Sequence, residues 1–211
     1  MKSINKRRID YSKGLIEEDN LLANPIETFK QWMSSALKHF AEPNAFVLST
    51  VNVHNEPSSR VLLLRDVTES GFVFYTNYLS QKGQDIAQNP KVSMNFFWPK
   101  LEQQIRINGN IEKVPDTISD TYFQSRPYES RIGAWSSPQS QPIESRQILD
   151  DNVSHFTEKF SENVPRPPHW GGYIVSAQQI DFWQGRSNRL HERILYEKKD
   201  EAGWVKNRLA P

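Results

Sequence analysis

Between residues 45 and 113 the chain is a series of short apolar runs broken by turn residues, and this pattern limits the fold most. In the run 103–113, Ile105, Ile107 and Ile111 share one face of a strand, while Gln104, Arg106, Asn108 and Glu112 share the other, because strand side chains two apart point the same way. AFVLSTVNV, RVLLLRDV, GFVFYTN and VSMNFFW are further runs, and His54-Asn55-Glu56 suits a short hairpin loop between the first two. The last strands are expected at 171–182, 189–197 and 203–209. About eight strands that are local in sequence predict an α+β fold, an antiparallel β-barrel with peripheral helices.

The helices follow from caps and 3.6-residue spacing. Asn24, Pro25 and Glu27 suit N-cap, N1 and N3 of a helix whose buried stripe is Phe29, Trp32, Met33, Ala36, Leu37 and Phe40. Further helices are expected at 80–89, at 116–126 and along the stripe Leu149, Val153, Phe156 and Phe160. The polar first stretch, about 1–23, reads as a mobile arm on a single domain spanning 1–211. With 26 basic against 25 acidic residues and no basic block, a nucleic-acid partner is not expected. No cysteine is present, which removes disulfides and thiolate chemistry. The start MKSINKRRIDYSKG lacks the apolar stretch of a signal peptide, and no run is long enough to span a membrane. A cytoplasmic protein is expected.

Three constellations could carry chemistry. Trp183 to Arg193 reads WQGRSNRLHER, with Arg189, His191 and Arg193 at alternate positions. On a strand these converge on one spot that suits an anionic ligand, or they form a solvated face. Arg60 and Arg65 are five apart in SRVLLLRD, so a regular strand sends them to opposite faces: either two separate anion sites or two solvated strand ends. Tyr122 and Arg126 are four apart on a helix that Pro127 stops, and Pro127 suits N1 of a new helix containing Ser130. By residue type alone Tyr122 also fits a core and Ser130 a cap. His39, His54, His155 and His169 have no metal-ligand spacing, and no metal is expected.

WQGRSNRLHER and the closing Asn207-Arg208-Leu209-Ala210-Pro211 resemble the C-terminal signature of the pyridoxamine 5′-phosphate oxidase family. SSRVLLLRD, GFVFYTN, NPKVSMNFFWP, LEQQIRINGNIEKV, YFQSRP, SRIGAWSSPQS and HWGGYIVSAQQIDFWQG resemble its other blocks in order, over roughly residues 8–211. The resemblance implies an FMN-binding split barrel, a homodimer with FMN at the subunit interface, and oxidation of pyridoxamine or pyridoxine 5′-phosphate to pyridoxal 5′-phosphate with O₂ as acceptor. It implies FMN contacts from Arg60, Val61, Leu62, Leu63, Leu64, Arg65, Tyr75, Thr76, Gln81, Lys82, Gln104, Gln139, Ser140, Trp183 and Arg193. It places Arg65, Tyr122, Arg126 and Ser130 on the substrate phosphate, Arg189 and His191 at the substrate ring as the catalytic pair that orients it and tunes its protonation, and Arg8 and Tyr11 in an arm that closes over it. Two positions depart from the family pattern: Arg65 stands where Lys is usual, and Gln81 where Arg is common. Two alternatives remain, a split-barrel oxidase of another substrate such as a phenazine precursor, and a non-enzymatic module carrying FMN or pyridoxal phosphate.

Overall fold

The computed structural model describes residues 9–200 and 203–211. Within these, nine strands form one antiparallel sheet: β1 (Ala45–Val51), β2 (Pro57–Leu63), β3 (Asp66–Thr68), β4 (Gly71–Asn77), β5 (Lys91–Trp98), β6 (Gln103–Lys113), β7 (Trp170–Gln184), β8 (Glu192–Lys199) and β9 (Gly203–Leu209). The order is β2-β1-β5-β6-β7-β4-β3, with β8 on β7 and β9 on β8. Five helices accompany it: α1 (Pro25–Ala36), α2 (Gln81–Gln88), α3 (Asp116–Ser125), α4 (Tyr128–Ser136) and α5 (Gln147–Phe160).

Strand β7 is the spine. One edge pairs with β6 along nearly its whole length. The other edge is shared, with β4 taking Trp170–Val175 and β8 taking Gln179–Gln184. The sheet therefore forks at β7 and curls into a split barrel. A β-bulge at Asn108/Gly109 helps it bend. A Cβ at Gly109 would lie 2.3 Å from the Ser176 carbonyl oxygen, so only glycine fits that approach.

The alternation in 103–113 is realised: Ile105 and Ile107 are fully buried, and they meet Phe182 and Ile180 across the β6–β7 ladder. Phe29 of α1 plugs the barrel, edge-on to Phe72 at 4.9 Å and Phe96 at 5.2 Å. Burying each such side chain stabilises the fold by about 1.5–3 kcal/mol. Asn24 caps α1, its Oδ1 accepting the Ile26 N–H at 3.0 Å.

Several expectations need correction. RVLLLRDV is not one strand: β2 ends at Leu63 and β3 begins at Asp66, which gives nine strands in place of about eight. The strand expected from 189 begins only at Glu192, because Asn188 and Arg189 turn the chain with φ of 55° and 62°. Leu37 lies past the end of α1 and is exposed, and Val153 is exposed because α5 packs through Phe156 and Phe160 on Trp135. No helix among the described residues is long and apolar enough to cross a membrane.

Candidate active site

The first cationic cluster sits where β2 meets the start of α2. Arg60 Nη1 donates to Thr50 Oγ1 at 2.7 Å and its Nη2 to Ser58 Oγ at 2.7 Å, with Asp85 3.9 Å away. Lys82 is 6% exposed, and its ammonium donates to Ser80 Oγ and Gln139 Oε1, each at 2.9 Å. Both acceptors are neutral. Burial, and then the neighbouring Arg60 charge, lower the Lys82 pKa to about 8. Thr76 also reaches Gln139, at 3.5 Å. Gln81 turns its amide onto Asp85 at 2.8 Å and so helps to fix that carboxylate. The α2 start is held close to the preceding turn, since a Cβ on Gly83 would lie 2.1 Å from the Tyr78 carbonyl oxygen. Two cations with one nearby carboxylate, beside free N–H groups of a helix start, suit a phosphate.

A second cluster lies around α3 and α4. Arg65 is not in a strand: it follows β2, and its N–H donates to Val73 O at 2.8 Å. Arg60 and Arg65 therefore do not occupy opposite faces of one strand, yet they go to separate places, because the chain turns between β2 and β3. Arg126 is also not helical with Tyr122. It caps α3 in extended conformation, and Pro127 is the N-cap of α4, one position earlier than expected. The Arg126 guanidinium lies 4.5 Å over Trp170 and 5.5 Å over Phe123. Its Nη1 is buried without a hydrogen-bond partner. Burial lowers its pKa, Tyr122 offsets this in part, and the charge of Arg65 lowers it again. Tyr122 stacks on Tyr75 at 3.8 Å, and Ser130 is the third residue of α4. A buried guanidinium nitrogen left without an acceptor is costly unless something anionic completes it.

The third cluster is at the far end of β7. A cavity of about 690 Å³ is lined by Ile9, Asp10, Tyr11, Arg186, Asn188, Arg189 and His191. Arg189 and His191 do meet here, but through a turn rather than a strand face. His191 Nδ1 accepts the Arg186 N–H at 3.0 Å, which leaves the proton of the neutral ring on Nε2. Left-handed Arg189 is unusual for a side-chain-bearing residue, a form of strain concentrated at functional sites. Tyr11 packs on Trp183 at 5.7 Å and on His191 at 5.8 Å. Arg8 lies outside the described residues.

Gln104, Trp183 and Arg193 are in register across β6, β7 and β8, so they share the outer face of the sheet. Arg193 does not line the cavity, and its guanidinium donates to Asp181 at 2.6 Å. Arg106 donates to the same carboxylate oxygen at 2.5 Å. Sequence reasoning missed Asp181, although an acid at an outward position beside apolar Ile180 and Phe182 was the available signal. It also missed Arg186, which periodicity does not mark.

These clusters do not come together within one chain. Thr76 pairs with Gly171 at the start of β7, and Trp183 lies twelve residues further along the same strand. That is up to about 40 Å of strand. Val61, Leu62, Leu63 and Leu64 stay with Arg60, and Gln139 and Ser140 stay with Lys82. One chain thus keeps the residues at the two ends of β7 apart.

Residues 33–160 match the family model described as pyridoxamine 5′-phosphate oxidase. Residues 170–211 match the pyridoxine 5′-phosphate oxidase C-terminal dimerisation region. The pyridoxine/pyridoxamine 5′-phosphate oxidase of Bordetella pertussis is 46% identical over 99% of this chain and 100% of its own length. That of Nostoc punctiforme is 47% identical over 100% and 99%. Among solved structures, PhzG from Burkholderia lata 383, in complex with tetrahydrophenazine-1-carboxylic acid, superposes with a TM-score of 0.87 at 28% identity, covering 94% of this chain and 98% of its own. With the fold, the model matches and near-complete coverage in agreement, the chain belongs to the pyridoxamine 5′-phosphate oxidase family of FMN-dependent oxidoreductases.

Proposed function

We propose that this chain oxidises pyridoxamine 5′-phosphate and pyridoxine 5′-phosphate at C4′ to pyridoxal 5′-phosphate, with O₂ as acceptor and H₂O₂ as by-product. One observation carries the reading: the buried, unpartnered Nη1 of Arg126, beside Arg65, is an anion site separate from the Arg60–Lys82 cluster. Two phosphates need two such sites, one for FMN and one for the substrate. Curated relatives at 46–47% identity bear the name of this activity, against 28% for the phenazine-complexed structure.

The residues present fit FMN. Arg60 and Lys82 would take its phosphate, with the 61–65 backbone, Tyr75, Thr76, Gln139 and Ser140 along its length. Gln81, engaged with Asp85, would contribute by holding that carboxylate and not by charge. Gln104, Trp183 and Arg193 would come from a second copy, because one chain keeps its half-sites apart. We therefore infer a homodimer with two composite sites, consistent with the dimerisation region at 170–211. When bound, FMN supplies the two-electron acceptor for C4′ and the route onward to O₂.

The chain itself supplies grip and orientation. Arg126, Arg65, Tyr122 and Ser130 hold the substrate phosphate, and Arg189 and His191 of the other copy hold the ring. His191 presents an Nε2–H donor to the cavity, so it orients a ring acceptor and does not abstract a proton. Tyr11 belongs to the arm that covers the site. Holding C4′ against the flavin is then the main catalytic contribution of the protein.

The test is anaerobic mixing of the FMN-loaded protein with pyridoxamine 5′-phosphate while flavin absorbance is followed. Bleaching that air reverses, with pyridoxal phosphate formed, is the expected result. An unbleached flavin with ligand bound would overturn it. A phenazine-type oxidase would instead keep its turnover after Arg126→Ala.

A further inference from the structure

The cavity at His191 has two walls, the arm (Ile9 to Tyr11) and the loop from Arg186 to His191. Neither belongs to the sheet, so something must hold each in place. Both are fastened to a single residue, Glu102, in the turn between β5 and β6. Its carboxylate Oε2 accepts the backbone N–H of Ser12 at 2.8 Å and of Lys13 at 2.9 Å. Its own carbonyl accepts the Gly185 N–H at 2.7 Å and the Gln184 side-chain amide at 3.2 Å. Glu102 is 4% exposed and has φ of 56°, so a buried carboxylate is carried on a left-handed backbone. A turn of this kind does not require an acid there. Glycine or asparagine would adopt that backbone more readily, so the carboxylate points to a task beyond the turn.

Further contacts continue the same seam. The Ile16 N–H donates to Glu192 Oε2 at 2.6 Å, and Arg186 Nη1 donates to Gly14 O at 3.1 Å. These reach the arm from the loop side, so the two walls also hold each other. Gln104, two residues beyond Glu102, lies on the outer face with Trp183. The fastening point is therefore next to the flavin-facing edge proposed above.

We infer that Glu102 is a positioning residue for substrate: its carboxylate latches the arm so that Tyr11 stands over His191, while its carbonyl sets the opposite wall. This rests on the proposed substrate site. Glu102 itself touches no substrate. Its side chain and its carbonyl act on different walls, so truncating the side chain frees the arm and leaves the loop anchored.

The experiment compares FMN-loaded wild type, Glu102→Ala and Glu102→Gln in two measurements. The first is the rate of tryptic cleavage after Lys13, which needs an open arm. The second is KM and kcat with pyridoxamine 5′-phosphate. For Glu102→Ala, cleavage should rise on the order of tenfold or more, since two charge-assisted hydrogen bonds are lost. KM should rise by about as much while kcat falls far less and FMN affinity holds, because the loss is of binding common to ground and transition states. Glu102→Gln keeps an oxygen acceptor and should recover most of both effects, which separates latching from a folding defect. Unchanged cleavage in Glu102→Ala would overturn the inference, as would increased cleavage with an unchanged KM. A wild type unable to oxidise pyridoxamine 5′-phosphate would sink the substrate assignment instead, leaving the cleavage comparison to decide the latch.

Discussion

FMN affinity should weaken as pH rises through 8, and Lys82 is the reason. Its ammonium is buried against two neutral acceptors, and its pKa is lowered to about 8 by burial and then by Arg60. A phosphate dianion placed beside it would favour the charged form and return the pKa toward the ordinary lysine range near 10.5. Between those values binding takes up one proton, so Kd climbs about tenfold per pH unit. At pH 9 the loss is about tenfold, or about 1.4 kcal/mol, and at pH 9.5 about thirtyfold. The stability of the flavin-free protein should move the other way. A lysine with a depressed folded pKa holds fewer protons than the unfolded chain above pH 8, so apoprotein stability rises from about pH 8 to 10.5. Quenching of FMN fluorescence on titration into apoprotein, at fixed ionic strength from pH 7 to 9.5, reads the first effect, and urea midpoints read the second. Lys82→Met should bind about 10–100-fold more weakly at pH 7 and show no slope. A flat wild-type profile, or a slope that survives in Lys82→Met, would refute the reasoning.

Other expectations follow from the geometry. Arg126→Ala should raise KM for pyridoxamine 5′-phosphate about 10–100-fold. It should leave the melting temperature close to that of wild type, because the half-buried guanidinium has Nη1 unpartnered and offsets that cost only by stacking on Trp170; a clear drop in melting temperature would contradict this. Asp181→Ala strands Arg106 and Arg193 without their shared carboxylate. Since both guanidiniums are partly exposed, a destabilisation of about 2 kcal/mol by urea denaturation is expected, together with weaker FMN binding. Arg189→Gly should reduce turnover yet keep stability within about 0.5 kcal/mol of wild type, as the left-handed backbone at 62° favours glycine.

Much of the fold was legible because it rests on alternation: Ile105 and Ile107 faced inward as their spacing required. Parts of the site were legible for reasons the structure revises. Arg189 and His191 share a cavity, but a left-handed turn and not a pleated strand brings them together. Arg60 and Arg65 diverge, but by a break between β2 and β3. Glu102 was invisible, since a side chain that accepts backbone N–H groups ninety residues away leaves no periodic trace. The separation of the half-sites was equally hidden, because spacing in sequence does not report distance along a strand that two neighbours share.

That long shared strand has a genetic consequence. If β7 holds one half-site at each end and two chains complete each other's sites, defects at opposite ends should complement. At limiting substrate, a subunit carrying Arg126→Ala and one carrying Arg189→Ala would each form a homodimer impaired at both sites. Their heterodimer pairs both lesions in one site and leaves the other wholly wild type. Random reassortment makes half the dimers mixed, so at limiting substrate co-expression should restore about a quarter of normal activity from two impaired alleles. Two alleles damaged at the same end of β7 should restore nothing, so an allele series would chart which residues serve a site in cis and which in trans.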